Sequence, residues 1–396
     1  MSLIRRKRKY RFLHSSRFFN IFRKNTHAEF SSGNRVELFE QGGSFIPALL
    51  NACRNACEQI HFEFYIIRDD RIGLSFAEAM INAVKRGVEV FLIYDYIGCF
   101  DTSASFFRHL EQSGVKCLPF NPPPFHWGIA WFDKRDHRKM AVIDGKTAFV
   151  GGINIGSEYA GFGESPEQWR DLGMRIDGPA AGELEKLFRR NWEREGGAFP
   201  VAWLAVYPPI ADEGDAEVLI VNGGPHHNRS RIRSAFRTAI AGASESVSIM
   251  SPYFVPGPRV VRSLLRASSR GVRVQLMLPA KTDVPLVRLV SRSYYAQILK
   301  GGIKIFEREG TMLHAKVMLI DESWVVIGSA NLDQRSFHRN FEVNVIVESQ
   351  EFGGQVTEMF NEDLKKSHRI TIEEHERRGF LLRILEKLCE PISWFL

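Results

Sequence analysis

Apolar residues in this chain recur in two alternating patterns, one with the spacing of a helix and one typical of a buried strand. Apolar positions from residue 46 to 57 follow the helical spacing, and the run from 60 to 67 predicts a buried strand. A second helix is predicted from residue 75 to 86, and Gly87 ends it before a strand at 88–94. Helices that alternate with strands predict an α/β fold with a largely parallel sheet covered on both faces.

The same series of elements is predicted a second time later in the chain. A helix at 232–245 and a strand at 247–255 match the first helix and strand, and Arg270-Gly271-Val272 repeats Arg86-Gly87-Val88. Such widely separated copies indicate the duplication of a whole domain, since solenoid repeats have a period of only about 20–50 residues. Glycine, proline and acidic residues between 196 and 215 interrupt the pattern and mark the join.

The duplication divides the chain into four predicted segments. Residues 32–205 form the first domain and residues 206–370 form the second, with a basic segment, 1–31, before them and an amphipathic tail, 371–396, after them. The first 24 residues hold nine Lys or Arg and no acid, with phenylalanines between them. This pattern is compatible with a solvated tail, a transit peptide or a segment that contacts an anionic membrane. The apolar stripe of the tail is compatible with packing on the protein or with an interfacial helix.

Charge and composition restrict the partners and the kind of site. The net charge of +7 and the pI of about 9.1 favour anionic partners, either nucleic acid or an anionic membrane surface. The five cysteines form no C-x-x-C pair, which argues against a zinc site or a disulfide framework. No window of about 19 residues is continuously apolar, so no transmembrane helix is predicted. A lipid substrate would therefore be reached from the membrane surface.

One polar motif occurs twice, once in each predicted domain. It has the spacing H-x-K-x-x-x-x-D, and in both copies an apolar run, a Gly-Gly or Gly-Ser pair and an asparagine follow the aspartate. The motif residues are His137, Lys139 and Asp144 with Asn154 in the first copy, and His314, Lys316 and Asp321 with Asn331 in the second.

Alternation along a strand separates the roles of these residues. Residues i and i+2 of a strand face the same side, so the histidine and lysine of each copy share one side, whereas the aspartate has the opposite parity. Asp144-Gly145 is in addition a turn signal that would close a hairpin. We therefore assign Asp144 and Asp321 to holding the turn and the nearby backbone, and we expect their replacement to reduce stability along with rate.

The doubled motif resembles the hallmark of the phospholipase D superfamily, and within it the chain is similar to bacterial cardiolipin synthases of the short, peripherally bound type. The resemblance spans about residues 35 to 365. Beyond the motifs, it is carried by Trp169-Arg170-Asp171, Gly178-Pro179, Ser251-Pro252-Tyr253-Phe254-Val255-Pro256 and Asn340-Phe341-Glu342-Val343-Asn344. It implies two duplicated α/β/α sandwich domains related by a pseudo-two-fold axis, with the active site at their interface.

Two facing copies of the motif would place two imidazoles and two ammonium groups around one phosphodiester. Nothing else in the sequence resembles a Mg²⁺ carboxylate cluster, so no metal or other cofactor is expected. The two motif lysines, together with Asn154 and Asn331, would neutralise the non-bridging oxygens. One histidine would attack phosphorus, while the other would protonate the leaving alcohol and then deprotonate the incoming one. The resemblance implies that His137 is the nucleophile and His314 the acid and base.

Carboxylates on the far ring nitrogens would orient these histidines. The lysines tend to lower the imidazole pKa, and a carboxylate restores basicity and fixes the tautomer. The candidates are Asp171, which follows the first motif, and Glu342, which follows the second. The alternative for each is an ordinary surface charge.

The resemblance also implies a reaction and a location. Two phosphatidylglycerols would give cardiolipin and glycerol at the cytoplasmic face of the bacterial inner membrane, with phosphatidylethanolamine as an alternative donor. Nucleic acid is not the expected substrate. Three alternatives stay open: a phospholipase D hydrolase, a nuclease of the same superfamily, and a non-enzymatic basic scaffold that binds membrane or nucleic acid.

Overall fold

The computed structural model describes residues 13, 15–123, 132–163, 165, 167–199, 211–225, 230–389, 391 and 393. The basic residues at positions 5–11, positions 200–210 of the predicted join and the last three residues of the tail lie outside this part of the chain. The bounds predicted for the two domains therefore stay predictions.

The first half of the chain alternates helices and strands around the first motif. After helix α1 (Ser16–Thr26), its elements are β1 (Phe30–Phe39), α2 (Gly42–Asn55), β2 (Gln59–Phe64), α3 (Arg71–Lys85), β3 (Glu89–Asp95), α4 (Ala104–Gln112), β4 (Lys116–Phe120), β5 (Lys139–Ile143), β6 (Thr147–Gly151), β7 (Gly173–Asp177) and α5 (Pro179–Arg194).

The second half repeats this series around the second motif and adds short elements. They are β8 (Ala216–Gly223), α6 (Arg231–Gly242), β9 (Ser246–Met250), β10 (Phe254–Val255), α7 (Gly257–Ser269), β11 (Arg273–Pro279), α8 (Pro285–Ser293), α9 (Tyr295–Lys300), β12 (Lys304–Arg308), β13 (Val317–Ile320), β14 (Trp324–Gly328), β15 (Leu332–Asp333), α10 (Gln334–His338), β16 (Glu342–Glu348), α11 (Gln350–Lys365), β17 (Ser367–Ile370), α12 (Ile372–Arg377) and α13 (Phe380–Cys389).

The strand order confirms the duplication. In the described part of the chain, fifteen strands form one sheet in the order β17-β12-β11-β9-β13-β14-β16-β8-β1-β7-β6-β5-β2-β3-β4. Reading outward from the central β8–β1 pair, each half has the same succession of seven strands, and β17 adds an edge strand to the second half. The central pair is antiparallel, with Phe30 opposite Leu219. The two halves are thus related by an approximate two-fold axis between β1 and β8.

The prediction of a largely parallel sheet was wrong. Parallel pairing within this sheet is confined to β2-β3-β4 in the first half and to β9-β11-β12 in the second. The other strands pair with antiparallel neighbours, because β5–β6 and β13–β14 are hairpins closed directly by the motif aspartates. The β5–β6 hairpin agrees with the turn signal Asp144-Gly145, whereas the helix-strand alternation at the start of each domain gave no indication of antiparallel pairing.

Three apolar cores surround the sheet, one outside each half and one between the halves. Successive strand residues alternate between them, as the two-residue period of a strand requires. Met140 and Val142 lie in the central core, whereas Ala141 and Ile143 lie in the outer core of the first half. Helices α5 and α11 also contribute to the central core. This shared core holds the two motif-bearing hairpins in a fixed relation.

Helix α1 packs on the second half rather than extending from the protein. Ser15 caps it, since its hydroxyl accepts from the backbone N of Phe18 at 3.2 Å. Phe18 and Phe22 are at most 2% exposed, and their ring centroids lie 5.2 and 5.5 Å from that of Trp324. These two phenylalanines belong to the outer core of the second half and are not available to a membrane.

The C-terminal helix α13 packs against the protein with one side and exposes apolar residues on the other. It packs against α8, and Glu386 and Cys389 are buried there. Its other side exposes Leu382, Leu385 and Leu388, the last to 69%. None of the helices in the described segments has the length and apolar character needed to cross a membrane.

We expect Phe22→Ala to lower the free energy of unfolding by about 3–5 kcal/mol, because it removes a buried ring from the Trp324 cluster. The neighbouring Ile21→Ala is the matched control and should cost less than about 1 kcal/mol, since Ile21 is 39% exposed. Denaturant unfolding of both variants tests this, and equal losses would contradict the assignment of α1 to the core.

Candidate active site

Two backbone contacts between the halves lie next to the motif histidines. The N–H of His137 donates to the carbonyl of Phe341 at 2.9 Å, and the N–H of His314 donates to the carbonyl of Arg170 at 2.8 Å. In each contact the accepting residue directly precedes one of the predicted orienting carboxylates. The backbone therefore brings the histidine of each half to a carboxylate of the other half.

The histidine–carboxylate pairs cross between the halves. Nδ1 of His137 lies 3.1 Å from both carboxylate oxygens of Glu342, and Nδ1 of His314 lies 2.5 Å from Oδ2 of Asp171. The order along the chain places each carboxylate after the histidine of its own half, so it did not reveal this crossing. Each imidazole thus depends on both halves for its orientation.

Further hydrogen bonds hold the two carboxylates. Glu342 is fully buried, and it accepts from the hydroxyl of Ser329 and, at 3.4 Å, from Nδ2 of Asn340. Asp171 accepts from the backbone N–H of Leu172 at 2.8 Å. Ser329 was not among the predicted site residues, although it belongs to the Gly-Ser pair that ends the second motif. These bonds fix the carboxylates so that they can fix the imidazoles.

The two lysines lie beside the histidines of their own motif. Nζ of Lys139 donates to the carbonyl of His137 at 2.7 Å. Nζ of Lys316 donates to the carbonyl of His314 and lies 2.8 and 3.0 Å from Nδ1 and Nε2 of the same ring. Both lysines are at most 4% exposed. Two ammonium groups and two imidazoles are therefore enclosed at the interface.

Aromatic rings that the spacing arguments did not assign line the cluster. The ring of Tyr65 lies 4.9 Å from that of His137 and 5.0 Å from Nζ of Lys139. The ring of Trp169 lies 4.9 Å from that of His314, and Tyr159 is also within 5.8 Å. Trp169 carries part of the family resemblance, but nothing in the sequence indicates its position against the imidazole.

Burial and the lysines keep both imidazoles neutral near pH 7. Burial lowers the pKa of His137, with Glu342 opposing and Lys139 and Lys316 adding to the decrease. Burial and then Lys316 lower the pKa of His314 to about 4, although Asp171 opposes them. A neutral imidazole has the free lone pair that a nucleophile or a base requires.

The lysines have lowered pKa values for the same reason. Burial lowers the pKa of Lys139 to about 7 and that of Lys316 to about 8, while the neighbouring carboxylates oppose the decrease. Each lysine also acts on the histidine of the other half, so the four groups form one electrostatic unit. A phosphate between them would favour the charged lysines and raise these pKa values.

The predicted phosphate-binding asparagines differ in their contacts. Oδ1 of Asn154 accepts from the backbone N–H of Ile66 at 3.1 Å, which ties the side chain to the end of β2. The backbone N–H of Asn331 donates to the hydroxyl of Ser336, but its buried Oδ1 has no hydrogen-bond partner among the described residues. Both side chains are buried within the motif-bearing loops.

The motif aspartates bind backbone at the opposite ends of β5 and β13 from the histidines. Asp144 and Asp321 adopt left-handed backbone angles, with φ of 50° and 48°, as turn residues do. Each carboxylate accepts from three successive backbone N–H groups before the neighbouring strand. The donors are Cys57, Glu58 and Gln59 for Asp144, and Ser244, Glu245 and Ser246 for Asp321. These contacts match the structural role expected from their parity.

A buried ion-pair network braces the segment before Asp171. Nη2 of Arg170 lies 2.6 Å from Oδ2 of Asp363, and Nε of Arg308 lies 2.7 Å from Oδ1 of the same carboxylate. Asp363 is on α11 and Arg308 ends β12, so both come from the second half. Sequence reasoning missed this network because its three members are far apart along the chain.

One cavity in the described part of the chain lies away from this cluster. Its volume is about 470 Å³, and it is lined by β1, β8, α5, the loop after α1 and the start of α6, including His27, Arg190 and Arg231. No motif residue lines it. The histidine and lysine cluster is the candidate active site, since titratable groups that converge and have perturbed pKa values mark a functional site more specifically than cavity volume does.

Comparison with known proteins gives concordant matches. The family model described as "Cardiolipin synthase, PLD-like domain" matches residues 49–192 and 236–364, which together exceed half of the chain. "Cardiolipin synthase 2" of Bacillus cereus is 36% identical over 359 residues, which cover 89% of this chain and 69% of that protein. "Major cardiolipin synthase ClsA" of Bacillus subtilis is 30% identical over 370 residues, which cover 93% and 77%.

A solved structure shares the fold. The phosphatidylserine synthase of Haemophilus influenzae aligns with a TM-score of 0.70 and 13% sequence identity, and the alignment covers 96% of this chain and 100% of that chain. At this level of identity the similarity concerns the fold alone. It agrees with two related α/β halves around a shared interface.

We expect Asp321→Ala to lower the free energy of unfolding by at least about 2 kcal/mol, because three backbone N–H groups lose their acceptor. The adjacent Glu322→Ala is the matched control. Within the described segments, its carboxylate makes only an exposed contact with Arg273 at 3.8 Å, so the loss should stay below about 1 kcal/mol. A substitution of Asp321 that left the unfolding midpoint unchanged would refute the structural role.

We expect kcat/KM for a phosphodiester to fall as the pH rises above about 8. The free protein then loses the charge of Lys139, with a pKa of about 7, and of Lys316, with a pKa of about 8. The fall in kcat should begin at higher pH, because bound phosphate raises both values. Rate profiles over a range in which circular dichroism shows the protein folded test this, and a constant kcat/KM from pH 7 to 10 would contradict it.

Proposed function

Because this chain belongs to the cardiolipin synthase family of PLD-like domains, we propose that it transfers a phosphatidyl group between phospholipids. Two phosphatidylglycerols give cardiolipin and glycerol, and phosphatidylethanolamine is a second possible donor. The crossed pairing of His137 with Glu342 and of His314 with Asp171 is the observation that carries the proposal. It supports two oriented imidazoles acting on one phosphate between two buried lysines.

In the first half-reaction, Nε2 of His137 attacks the phosphorus of the donor lipid. A bond forms between this nitrogen and phosphorus, and the bond from phosphorus to the leaving glycerol oxygen breaks. His314 gives its proton to that oxygen, so glycerol leaves as a neutral alcohol. For this step His314 must be protonated, which the bound anionic phosphate and Asp171 favour. Lys139 and Lys316 stabilise the charge that develops on the non-bridging oxygens.

In the second half-reaction, the acceptor lipid replaces glycerol. His314, now neutral, removes the proton from the terminal hydroxyl of a second phosphatidylglycerol. The hydroxyl oxygen attacks phosphorus, the bond to His137 breaks, and cardiolipin forms. The proton gained by His314 restores the starting state. Water as the acceptor would instead give phosphatidic acid, so the outcome depends on which hydroxyl reaches the buried phosphorus.

His137 is assigned as the nucleophile on two contrasts with His314. Its side chain is 12% exposed, against 6% for His314. Nε2 of His314 lies 3.0 Å from Nζ of Lys316, whereas Nε2 of His137 has no hydrogen-bond partner among the described residues. A nitrogen lone pair that no ammonium contacts is the better nucleophile.

We further propose that the protein acts at the surface of the membrane that holds its substrate, at the cytoplasmic face of the inner membrane of a bacterium. The exposed apolar side of α13, formed by Leu382, Leu385 and Leu388, supports an interfacial contact. The net charge of +7 supports attraction to anionic lipids.

We expect pure protein on phosphatidylglycerol vesicles to release cardiolipin and glycerol in equal amounts. His314→Ala should lower the rate by about 10²–10⁴-fold, because proton transfer is lost. His109→Ala, at an exposed histidine on α4, is the control and should retain full rate. Separation of the lipid products tests this, and phosphatidic acid as the main product would indicate a hydrolase instead.

The covalent step has its own test. Rapid quenching during turnover should trap a phosphorylated histidine, and peptide mapping should assign it to His137. A phosphoryl group on His314 would reverse the two roles. Cleavage of DNA without any lipid turnover would overturn the proposed function.

A further inference from the structure

Five arginines line one face of the second half, on helices α6 and α7. They follow helical spacing, so those on each helix share a side. We call them the arginine track: Arg233 and Arg237 on α6, and Arg259, Arg262 and Arg266 on α7. Four of them border a cavity of about 130 Å³ together with Ser263. All but Arg233 are exposed.

The arginine track has no carboxylate partner among the described residues. Nε of Arg237 donates to the hydroxyl of Ser263 at 3.4 Å, and Nε of Arg262 donates to the carbonyl of Pro258 at 3.2 Å. Neither α6 nor α7 contains Asp or Glu. Burial and then Arg259 and Arg237 lower the pKa of Arg233, which shows that the charges act on one another. Because these cations repel one another, the binding of an external anion would reduce the electrostatic repulsion among them.

The fold does not require these arginines. Helices α2 and α3 occupy the equivalent positions in the first half, as the matching strand order shows. Together they hold the basic residues Arg54, Arg71 and Lys85 and the acidic Glu78. The duplicated scaffold thus forms without the arginine track, so the track is a feature that only the second half has acquired.

One end of the arginine track is connected to the second motif through helix α10. Nη1 of Arg233 is 2.6 Å from Nε2 of His338, the last residue of α10. Helix α10 follows directly after β15, and its Ser336 accepts from the backbone N–H of Asn331, the asparagine of the second motif. The other end extends along α7 from Arg259 to Arg266, which is roughly 10 Å at a rise of about 1.5 Å per residue. This length exceeds a single phosphate group.

We propose that the arginine track binds the phosphate groups of an anionic phospholipid bilayer. Guanidinium groups match phosphate oxygens in geometry and in charge, and several spaced along one face fit an extended array of headgroups. Binding of a bilayer to the arginine track would bring lipid next to His338 and helix α10, which follows the second motif. This inference rests on the proposed function only for the choice of a bilayer over other polyanions.

The test measures binding to vesicles of phosphatidylglycerol and phosphatidylcholine by co-sedimentation. We expect the triple variant Arg237→Gln, Arg262→Gln, Arg266→Gln to bind roughly a hundredfold more weakly, because each basic residue near an anionic surface contributes about fivefold. Added salt should weaken the wild type more than the variant. Circular dichroism and the unfolding midpoint verify that the variant folds.

The matched control removes the same charge from the first half. The triple variant Arg54→Gln, Arg71→Gln, Arg108→Gln changes three exposed arginines on α2, α3 and α4 and should bind vesicles within about threefold of the wild type. Equal losses in both triple variants would overturn the proposal, since the net charge alone would then explain binding. The proposal would also be overturned if the arginine-track variant bound vesicles as well as the wild type but no longer bound duplex DNA. The arginine track would then be a nucleic-acid-binding surface.

Turnover in neutral detergent micelles separates this proposal from the proposed function. In such micelles the substrate is diluted in neutral detergent and no extended anionic surface is present, so the turnover rate of the arginine-track variant should match that of the wild type. On vesicles the variant should be slower than the wild type. Lower turnover of the variant in micelles as well would count against a docking role. If the wild type turned over no phospholipid in micelles or vesicles, the proposed function would be wrong. Vesicle binding by the two triple variants would still test whether the arginine track binds a bilayer.

Discussion

The crossed hydrogen bonds between histidines and carboxylates are the constraint on which the rest of this structure depends. Glu342 orients His137 and Asp171 orients His314, so neither half holds a complete set of groups. Burial raises the free-energy cost of an unpaired carboxylate, and the crossed partner offsets it. The two halves are therefore tied together by the same contacts that prepare the chemistry, and the central apolar core keeps those contacts in register.

Burial also explains how two lysines and two histidines can share one site. The pKa values of all four groups are lowered, which keeps the imidazoles neutral and leaves the ammonium groups close to losing their protons. The two carboxylates stay ionised, because the cationic groups outweigh the effect of burial on the pKa values of Asp171 and Glu342. In the proposed function, a phosphate that enters gives the two buried lysines an anionic partner, which favours their charged forms.

The approximate two-fold symmetry of the fold does not extend to its surface or to the surroundings of its histidines. His314 is packed by Lys316 and Trp169, whereas Nε2 of His137 has no hydrogen-bond partner among the described residues. The arginine track lies on the second half alone. A duplicated scaffold supplies two similar hairpins, and the different residues around them give the two imidazoles different surroundings, as the proposed division into a nucleophile and an acid and base requires.

The sequence by itself determined the duplication, the two motifs with their histidines and lysines, and the separate role of the aspartates, because these depend on local spacing and strand parity. It named Asp171 and Glu342 only as candidates for orienting the histidines. Only the tertiary structure decided that Asp171 serves His314 and Glu342 serves His137, since that choice depends on how two halves meet across a shared core. It also showed that most neighbouring strands pair antiparallel, in contrast to the predicted parallel sheet, and it buried Phe18 and Phe22 of the basic segment against Trp324. Contacts between residues far apart in the chain leave no periodic trace, so no local pattern could have revealed them.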